Sequence, residues 1–483
     1  DVLKVKSFND VIKESEDVAQ KKYATQDYEF QQALRLRRLQ QLTNIALLNP
    51  LWKERLQAGG LKKAPASFDE WQSIPLCDKN SINDFFTGSR PGMVVPINYN
   101  GFEIVASGGT TGGKSSETVY SLKELHDTYR IAGDFIGTHM LKNYLDGEDP
   151  KWVITTLADY QMWSSGTMVG GVLQSIPGVN YIGAGPVSMH VFHQLMSYKG
   201  PKAIMGISQS IAYLLELGVG LDEEARNDFR VAMYGSGVLT PKVQADLKEM
   251  YPNISILSYF AATQAEAIGL QLDHTSPLLA SVPGLHFIEI VDEEGRWVDE
   301  GEEGELVVTR LHATEVPVLR FKIGDRMIRR PNIDTDELKT SRFEFAGRSN
   351  DVIHMCDTQY PAPFVYDAIC REFQKAGLFD LKSVAHEIQF VNNRTMKHLT
   401  LLIAVDNPEE ATAALQSKYE DDEGRTIFAR ALNDSLSVFN KNEANMETLD
   451  KTKYQFEVRF VCKMSPEIYR TELGKVPLLR DML

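Results

Sequence analysis

Cysteine is scarce in this sequence: four residues, Cys77, Cys356, Cys370 and Cys462, stand far apart with no C-x-x-C pair. Neither a disulfide framework nor a cysteine-built zinc site is suggested, which fits a reducing compartment. Long apolar runs are lacking too, and none would span a bilayer. Basic side chains are outnumbered, 51 Lys and Arg against 66 Asp and Glu, for a formal charge of −15. Nucleic acid and anionic membranes call for a basic surface, so neither is an expected partner. A local basic pocket for a nucleotide stays compatible with that balance. The N-terminal stretch DVLKVKSFNDVIKESED is polar and charged, unlike a secretory signal, and the expected setting is cytoplasmic. Internal repeats and low-complexity tracts are absent as well.

What remains is an ordinary soluble composition, 43% apolar and 24% charged, on a 483-residue chain long enough for two or three domains. YEFQQALRLRRLQQLTNIALL repeats apolar side chains at helical intervals and predicts a helix. From about residue 100, strand-like WVITTLA, KAIMGI, RVAMYGSG and ISILSYF alternate with helical SQSIAYLLELG and TPKVQADLKEMY. Such alternation predicts an α/β fold with a largely parallel sheet. SYFAATQAEAIG reads as a buried strand running into a helix. Near residue 284 the texture turns to strands separated by charged, glycine-containing turns, predicting a β-hairpin or small barrel-like part. Beyond GRSND come AHEIQFV, LTLLIAV and YQFEVRFV, interleaved with two helical segments, a smaller α+β unit. EDDEG near residue 422 reads as a solvated turn. The expected division is a large domain over 1–347 and a small one over 348–483.

One stretch carries chemistry. SGGTTGGKS, Ser107 to Ser115, contains a literal G-x-x-x-x-G-K-S, the pattern of a phosphate-cradling P-loop. A P-loop must run straight into a helix, yet SETVYS follows, with Thr118, Val119 and Tyr120 favouring a strand. The helix is expected only at Leu122, where Ser121 and Glu124 have the spacing of a capping box. The glycine loop therefore joins two strands, a setting in which free backbone N–H groups and Thr hydroxyls still bind phosphate.

SGGTTGGKS resembles the phosphate loop of the adenylate-forming superfamily of acyl-CoA synthetases, adenylation domains and luciferases. Further segments resemble that superfamily's motifs in the same order: YGSGVL at Tyr234, FAATQ at Phe260, GELVVTRL at Gly304, RFKIGD at Arg320, GRSNDVI at Gly347 and ELGKVPLLR at Glu472. Together they cover nearly the whole chain. SIPLCDKNSINDFF, and Ser115 where most members have Lys, make the sequence similar to the phenylacetate-CoA ligase branch.

The resemblance implies activation of a carboxylic acid by ATP, release of pyrophosphate, and transfer of the acyl group, commonly to coenzyme A. It implies that Ser107, Gly108, Gly109, Thr110, Thr111 and Gly112 hold the β- and γ-phosphates. Ser236, Gly237, Phe260 and Ala261 would contact the nucleotide, Phe260 lying against adenine, and Thr263 would bond the α-phosphate. Asp325 would accept from the ribose hydroxyls, a task for which a carboxylate's two oxygens suit it. Arg348 would meet the nucleotide at the domain junction and Asn350 would act as the hinge of a mobile C-terminal domain. Lys475 would neutralise charge on the α-phosphate and carboxylate. Gln264 departs from the pattern, because a Glu there helps hold Mg²⁺ and a neutral amide is a poorer ligand for a hard cation. Glu266 is the other metal candidate. Tyr160, Trp163 and Tyr234 are candidate walls for a flat aromatic acid. Three other readings stay open: transfer to a carrier thiol or an amine, a P-loop NTPase, and a non-catalytic ligand-binding relative. The acid and the oligomeric state, a homodimer included, are not fixed by the sequence.

Overall fold

The computed structural model describes residues 23–107, 116–355, 358–419, 424–439, 453–472 and 474–482. Two compact units make up the chain. The first comprises the residues up to Gly206 together with Glu216–Gly235 and Asn253–Ala346. The second comprises Ile207–Leu215, Ser236–Pro252 and the chain from Gly347 onward.

Near the start of the described residues lies the helix Tyr28–Ala46, capped by Asp27, which accepts the Phe30 N–H at 2.8 Å. Its Leu39, Leu42 and Ala46 join Trp52, Trp71, Phe86 and Phe321 in one buried cluster. After three shorter α-helices comes an antiparallel hairpin, β1 (Phe102–Ser107) and β2 (Ser116–Ser121), with Ser107 opposite Ser116. The glycine-rich stretch thus connects two strands, as SETVYS predicts. The helix Leu122–Phe135 follows only after β2, and Ser121 caps it by accepting the Glu124 N–H.

Strands β3 (Trp152–Thr155), β4 (Asn180–Gly183), β5 (Lys202–Ile207), β6 (Phe229–Gly235) and β7 (Ser255–Ala262) build the half of the main sheet in which β3 runs parallel to β4 and β5, and β6 to β7. Strands β8 (Ala265–Gln271), β9 (Leu279–Ala280), β10 (His286–Val291), β11 (Glu303–Arg310), β12 (Phe321–Asp334) and β13 (Lys339–Arg348) extend it. The order is β10-β11-β12-β13-β9-β8-β7-β6-β5-β3-β4. The hairpin expected near residue 284 is β10–β11, and it continues this sheet.

SYFAATQAEAIG corrects the expectation of a strand leading into a helix. Thr263 and Gln264 form a two-residue turn, Ala262 pairs with Ala265, and β8 runs back antiparallel to β7. Alanine, glutamine and glutamate favour helix locally, but every residue of β8 is buried in the sheet, and that burial overrides the propensity.

In the second unit, β14 (Val352–Met355) and β15 (Thr358–Pro361) pair as a hairpin. Strands β16 (Glu387–Asn393), β17 (His398–Val405), β18 (Gln455–Cys462) and β19 (Leu479–Met482) form a sheet in the order β18-β17-β16-β19. The alternation along β17 sends Leu399, Leu401, Ile403 and Val405 into a core with Ile369 and Phe373 of the helix Ala362–Lys375, and with Ile427 and Phe428 of the helix Arg425–Phe439. Leu402 and Ala404 pack on the opposite face with Val461 and Ile468. This is the smaller α+β unit expected from the sequence. Of the EDDEG stretch, 420–423 lie outside the described residues and only Gly424 is described.

Candidate active site

The β1–β2 hairpin is the hub around which the candidate residues of the first unit gather. Ser107 ends β1, half-buried; Gly108, Gly109, Thr110, Thr111 and Gly112 lie outside the described residues. Below the hairpin, the Ser116 hydroxyl donates to Asn83 of the helix Lys79–Phe86 at 2.7 Å, and Arg90 pairs with Glu117 at 2.7 Å.

On one side stands a tight turn. Tyr160 and Trp163 exchange backbone hydrogen bonds of 2.9 and 2.8 Å, and the central Gln161 and Met162 have φ of 46° and 65°. Two left-handed central residues are the signature of a type I′ turn. The Met162 carbonyl accepts the Ala106 N–H at 2.8 Å, so the turn is bonded to β1 one residue before Ser107. Tyr160 is exposed and Trp163 half-buried. Asp159, just before the turn, accepts both the N–H and the hydroxyl of Thr167 at the start of the helix Ser165–Gln174.

On the other side stands the β7–β8 turn. Tyr120 of β2 is buried, and its hydroxyl donates to the Thr263 carbonyl at 2.8 Å. Phe260 and Ala261 are half-buried on β7. The Phe260 ring lies 6.0 Å from that of Phe345 on β13, and Phe260 and Ala262 pack into the same cluster as Ile323 of β12. Asp325 is two residues further along β12, also half-buried. Tyr234, near the end of β6, pairs in register with Ser258, and burial raises its phenol pKa.

The metal candidates differ in their surroundings. Gln264 is 5% exposed, and its Nε2 has no hydrogen-bond partner among the described residues. Glu266 is buried on β8, where it accepts the Tyr259 hydroxyl at 2.5 Å and the Ala267 N–H at 3.1 Å. Burial pushes its carboxyl up to about 7. Among the described residues no three His, Cys, Asp or Glu side chains converge as a metal-binding group. Among the described residues, a neutral Gln264 amide and a Glu266 already bonded to Tyr259 make a poor donor set for a hard cation such as Mg²⁺.

Three residues without a sequence motif, Tyr129, Tyr181 and Glu103, belong to the same region. A Cβ on Gly171 would stand 2.5 Å from the Tyr129 ring, and one on Gly170 would stand 2.7 Å from the Tyr181 hydroxyl. Two tyrosines thus lie directly on the helix Ser165–Gln174 that follows the Tyr160–Trp163 turn. The Tyr129 hydroxyl is buried without a partner among the described residues. Glu103 of β1 has its carboxyl raised by burial, with the charge of Asp159 adding to the effect. Only the bare glycine pair, in LADYQMWSSGTMVGG, hinted at this close approach.

In the second unit Ser236 has φ of 59°, Arg348 and Asn350 are exposed, and Gly347 has φ of 125°, a backbone state that favours glycine. Lys475 is half-buried, unlike a solvated tail lysine. It closes a turn in which the Thr471 N–H donates to its carbonyl at 2.9 Å and its own N–H donates to the Thr471 hydroxyl at 3.1 Å. The fully buried Gln389 amide holds the base of that loop, accepting the Tyr469 N–H at 2.8 Å and donating to the Tyr469 and Pro477 carbonyls at 3.0 and 3.1 Å. Burial pushes the Lys475 ammonium down to about 8, and the Arg348 guanidinium adds repulsion.

No family model matches the chain, and no curated protein does. Solved structures do. A 2-hydroxyisobutyryl-CoA ligase in a postadenylation state with R3-HIB-AMP aligns at a TM-score of 0.70 and 16% identity, over 95% of this chain and 91% of that one. The AtGH3.15 acyl acid amido synthetase in complex with 2,4-DB aligns at 0.61 and 13%, over 93% of each chain. ATP-bound MatB from Rhodopseudomonas palustris aligns at 0.50 and 17%, over 77% of this chain and 66% of that one. The chain has the fold of the adenylate-forming enzymes.

Proposed function

We propose that this protein activates a carboxylic acid with ATP and passes the acyl group to coenzyme A. A carboxylate oxygen attacks the α-phosphorus, the bond to the bridging oxygen breaks, and pyrophosphate leaves with that electron pair. The thiol of coenzyme A, losing its proton, then attacks the acyl carbon of the adenylate, and AMP departs. The observation that carries this reading is the β1–β2 hairpin, whose flanks are bonded to the Thr263 turn and to the Tyr160–Trp163 turn. A phosphate-binding loop, an α-phosphate ligand and an acid-facing turn are what adenylate formation needs side by side.

In this reading Ser107 and the glycine loop take the β- and γ-phosphates, Thr263 the α-phosphate, Phe260 the adenine and Asp325 the ribose. Lys475 supplies the positive charge that the α-phosphate and carboxylate require as they meet. Tyr160, Trp163 and Tyr234, with Tyr129 and Tyr181, favour an aromatic acid, in keeping with a phenylacetate-CoA ligase-like branch. Gly347 and Asn350 supply the hinge of a C-terminal domain beginning at Arg348.

ATP–pyrophosphate exchange against a panel of aromatic and aliphatic acids tests the proposal. Exchange should depend on one acid class and collapse in Lys475→Ala, and addition of coenzyme A should convert it to thioester formation. Gln264 favours a second reading, a relative that binds its ligand without turnover. Exchange absent from the wild type but restored by Gln264→Glu, at millimolar Mg²⁺, would select that reading.

A further inference from the structure

We infer that Tyr120 is a positioning residue for adenylate formation, its hydroxyl holding the Thr263 turn in place against the glycine-rich hairpin. The inference rests on the adenylation reading above. Tyr120 and Thr263 are 143 residues apart in the chain, yet the hydroxyl reaches the Thr263 carbonyl at 2.8 Å. The ring that delivers it is 1% exposed and packs with Val105, Leu125 and Met168. Its face is covered by the Arg310 guanidinium, 4.0 Å from the centroid. Arg310 is in turn fixed by Glu124 at 2.9 Å and by the Val119 carbonyl at 3.0 Å. Four side chains thus immobilise one phenol, and that phenol spans from β2 to the turn between β7 and β8.

The Thr263 carbonyl lies in a two-residue turn, where no ladder partner fixes the peptide plane. Turning that peptide would swing Thr263 away from any phosphate it is to meet. Phosphoryl transfer tightens its contacts at the reacting phosphorus only as the transition state forms. Loss of the tether therefore acts on kcat, whereas ATP held elsewhere by the loop and the adenine contact keeps its KM. A hydroxyl that served folding alone would act on stability and leave the rate per active site untouched.

Tyr120→Phe keeps the ring, its packing and its contact with Arg310, and removes only the tether. We expect kcat for acid-dependent pyrophosphate exchange to fall about tenfold, as loss of one hydrogen bond realised in the transition state predicts, with the KM for ATP within about twofold. Melting temperature and far-UV circular dichroism are read in parallel, and rates are normalised to active sites by the burst of acyl-adenylate. An unchanged kcat per active site, whether or not the melting temperature drops, overturns the inference. So does a rise in KM for ATP without a fall in kcat. No exchange by the wild type with any acid refutes the adenylation reading and this inference with it, whereas wild-type exchange shared fully by Tyr120→Phe refutes only the inference.

Discussion

The depressed ammonium of Lys475 makes the pH dependence of the first half-reaction the sharpest test of the site. Its pKa is pushed from the ordinary 10.5 to about 8, first by burial and then by Arg348. In the proposed reaction the protonated form is the one that would neutralise an adenylate in the making. With a pKa near 8, about nine tenths of the side chain is charged at pH 7 and about one tenth at pH 9. Pyrophosphate exchange should therefore fall close to tenfold between those pH values, along a limb that an ordinary lysine would show only above pH 10. Arg348→Gln removes the neighbouring charge, so the ammonium becomes easier to keep and the limb moves to higher pH. Stability provides an independent readout. Unfolded chain holds this proton up to about 10.5 while the folded state releases it near 8, so between these values the unfolded state binds more protons and stability rises with pH. At roughly 1.4 kcal/mol per pH unit the upper bound is about 3 kcal/mol, reduced by whatever solvent reaches a half-buried residue. Lys475→Met should abolish exchange and yet melt later than the wild type at pH 7, with the gap closing toward pH 10.5. Flat exchange through pH 9.5, an unmoved limb in Arg348→Gln, or a less stable Lys475→Met at pH 7 would refute this reasoning.

Two further outcomes follow from buried carboxylates. Glu124→Ala leaves the Arg310 guanidinium buried beside the hairpin without its 2.9 Å partner, and should cost about 3–5 kcal/mol in urea denaturation; a loss below about 1 kcal/mol would show that the pair is not held as described. Glu266, pushed up from 4.5 to about 7 by burial, takes up a proton on folding, so its contribution to stability shrinks as pH rises across that window. Glu266→Gln should accordingly match the wild type near pH 4.5 and melt higher at pH 8, and two parallel melting curves would exclude it.

Local sequence went far with the scaffold. The strands β3, β5, β6 and β7 and the intervening helices announce themselves through apolar runs and helical spacing, and β-branched Thr118 and Val119 after Ser115 are enough to separate a hairpin from a P-loop. The failures have a common cause in partners that are distant along the chain. AATQAEAIG reads as helix because nothing in its own composition says that β7 and β9 will flank it. Ser121 caps its helix as the capping box foretells, but Glu124 turns to Arg310, 186 residues away, and leaves half of the box unmade. Tyr129, Tyr181 and Gln389 carry no motif at all; Tyr129 and Tyr181 become visible only where they cross Gly171 and Gly170, and Gln389 only where it grips the Lys475 loop.

The two-residue connection between β7 and β8 has a consequence for how this protein can vary in descent. Side chains on neighbouring strand positions point to opposite faces, so one residue inserted at Thr263 or Gln264 would turn every side chain of β8 over. With β8 buried along its whole length, no register other than the present one keeps Ala265, Ile268 and Leu270 in their cores. Length changes among descendants are thereby steered away from this turn and into the longer connection between β10 and β11, which leaves the spacing from Phe260 to Glu266 as a fixed ruler; under the proposed function, a new acid would have to be accommodated there by substitution alone.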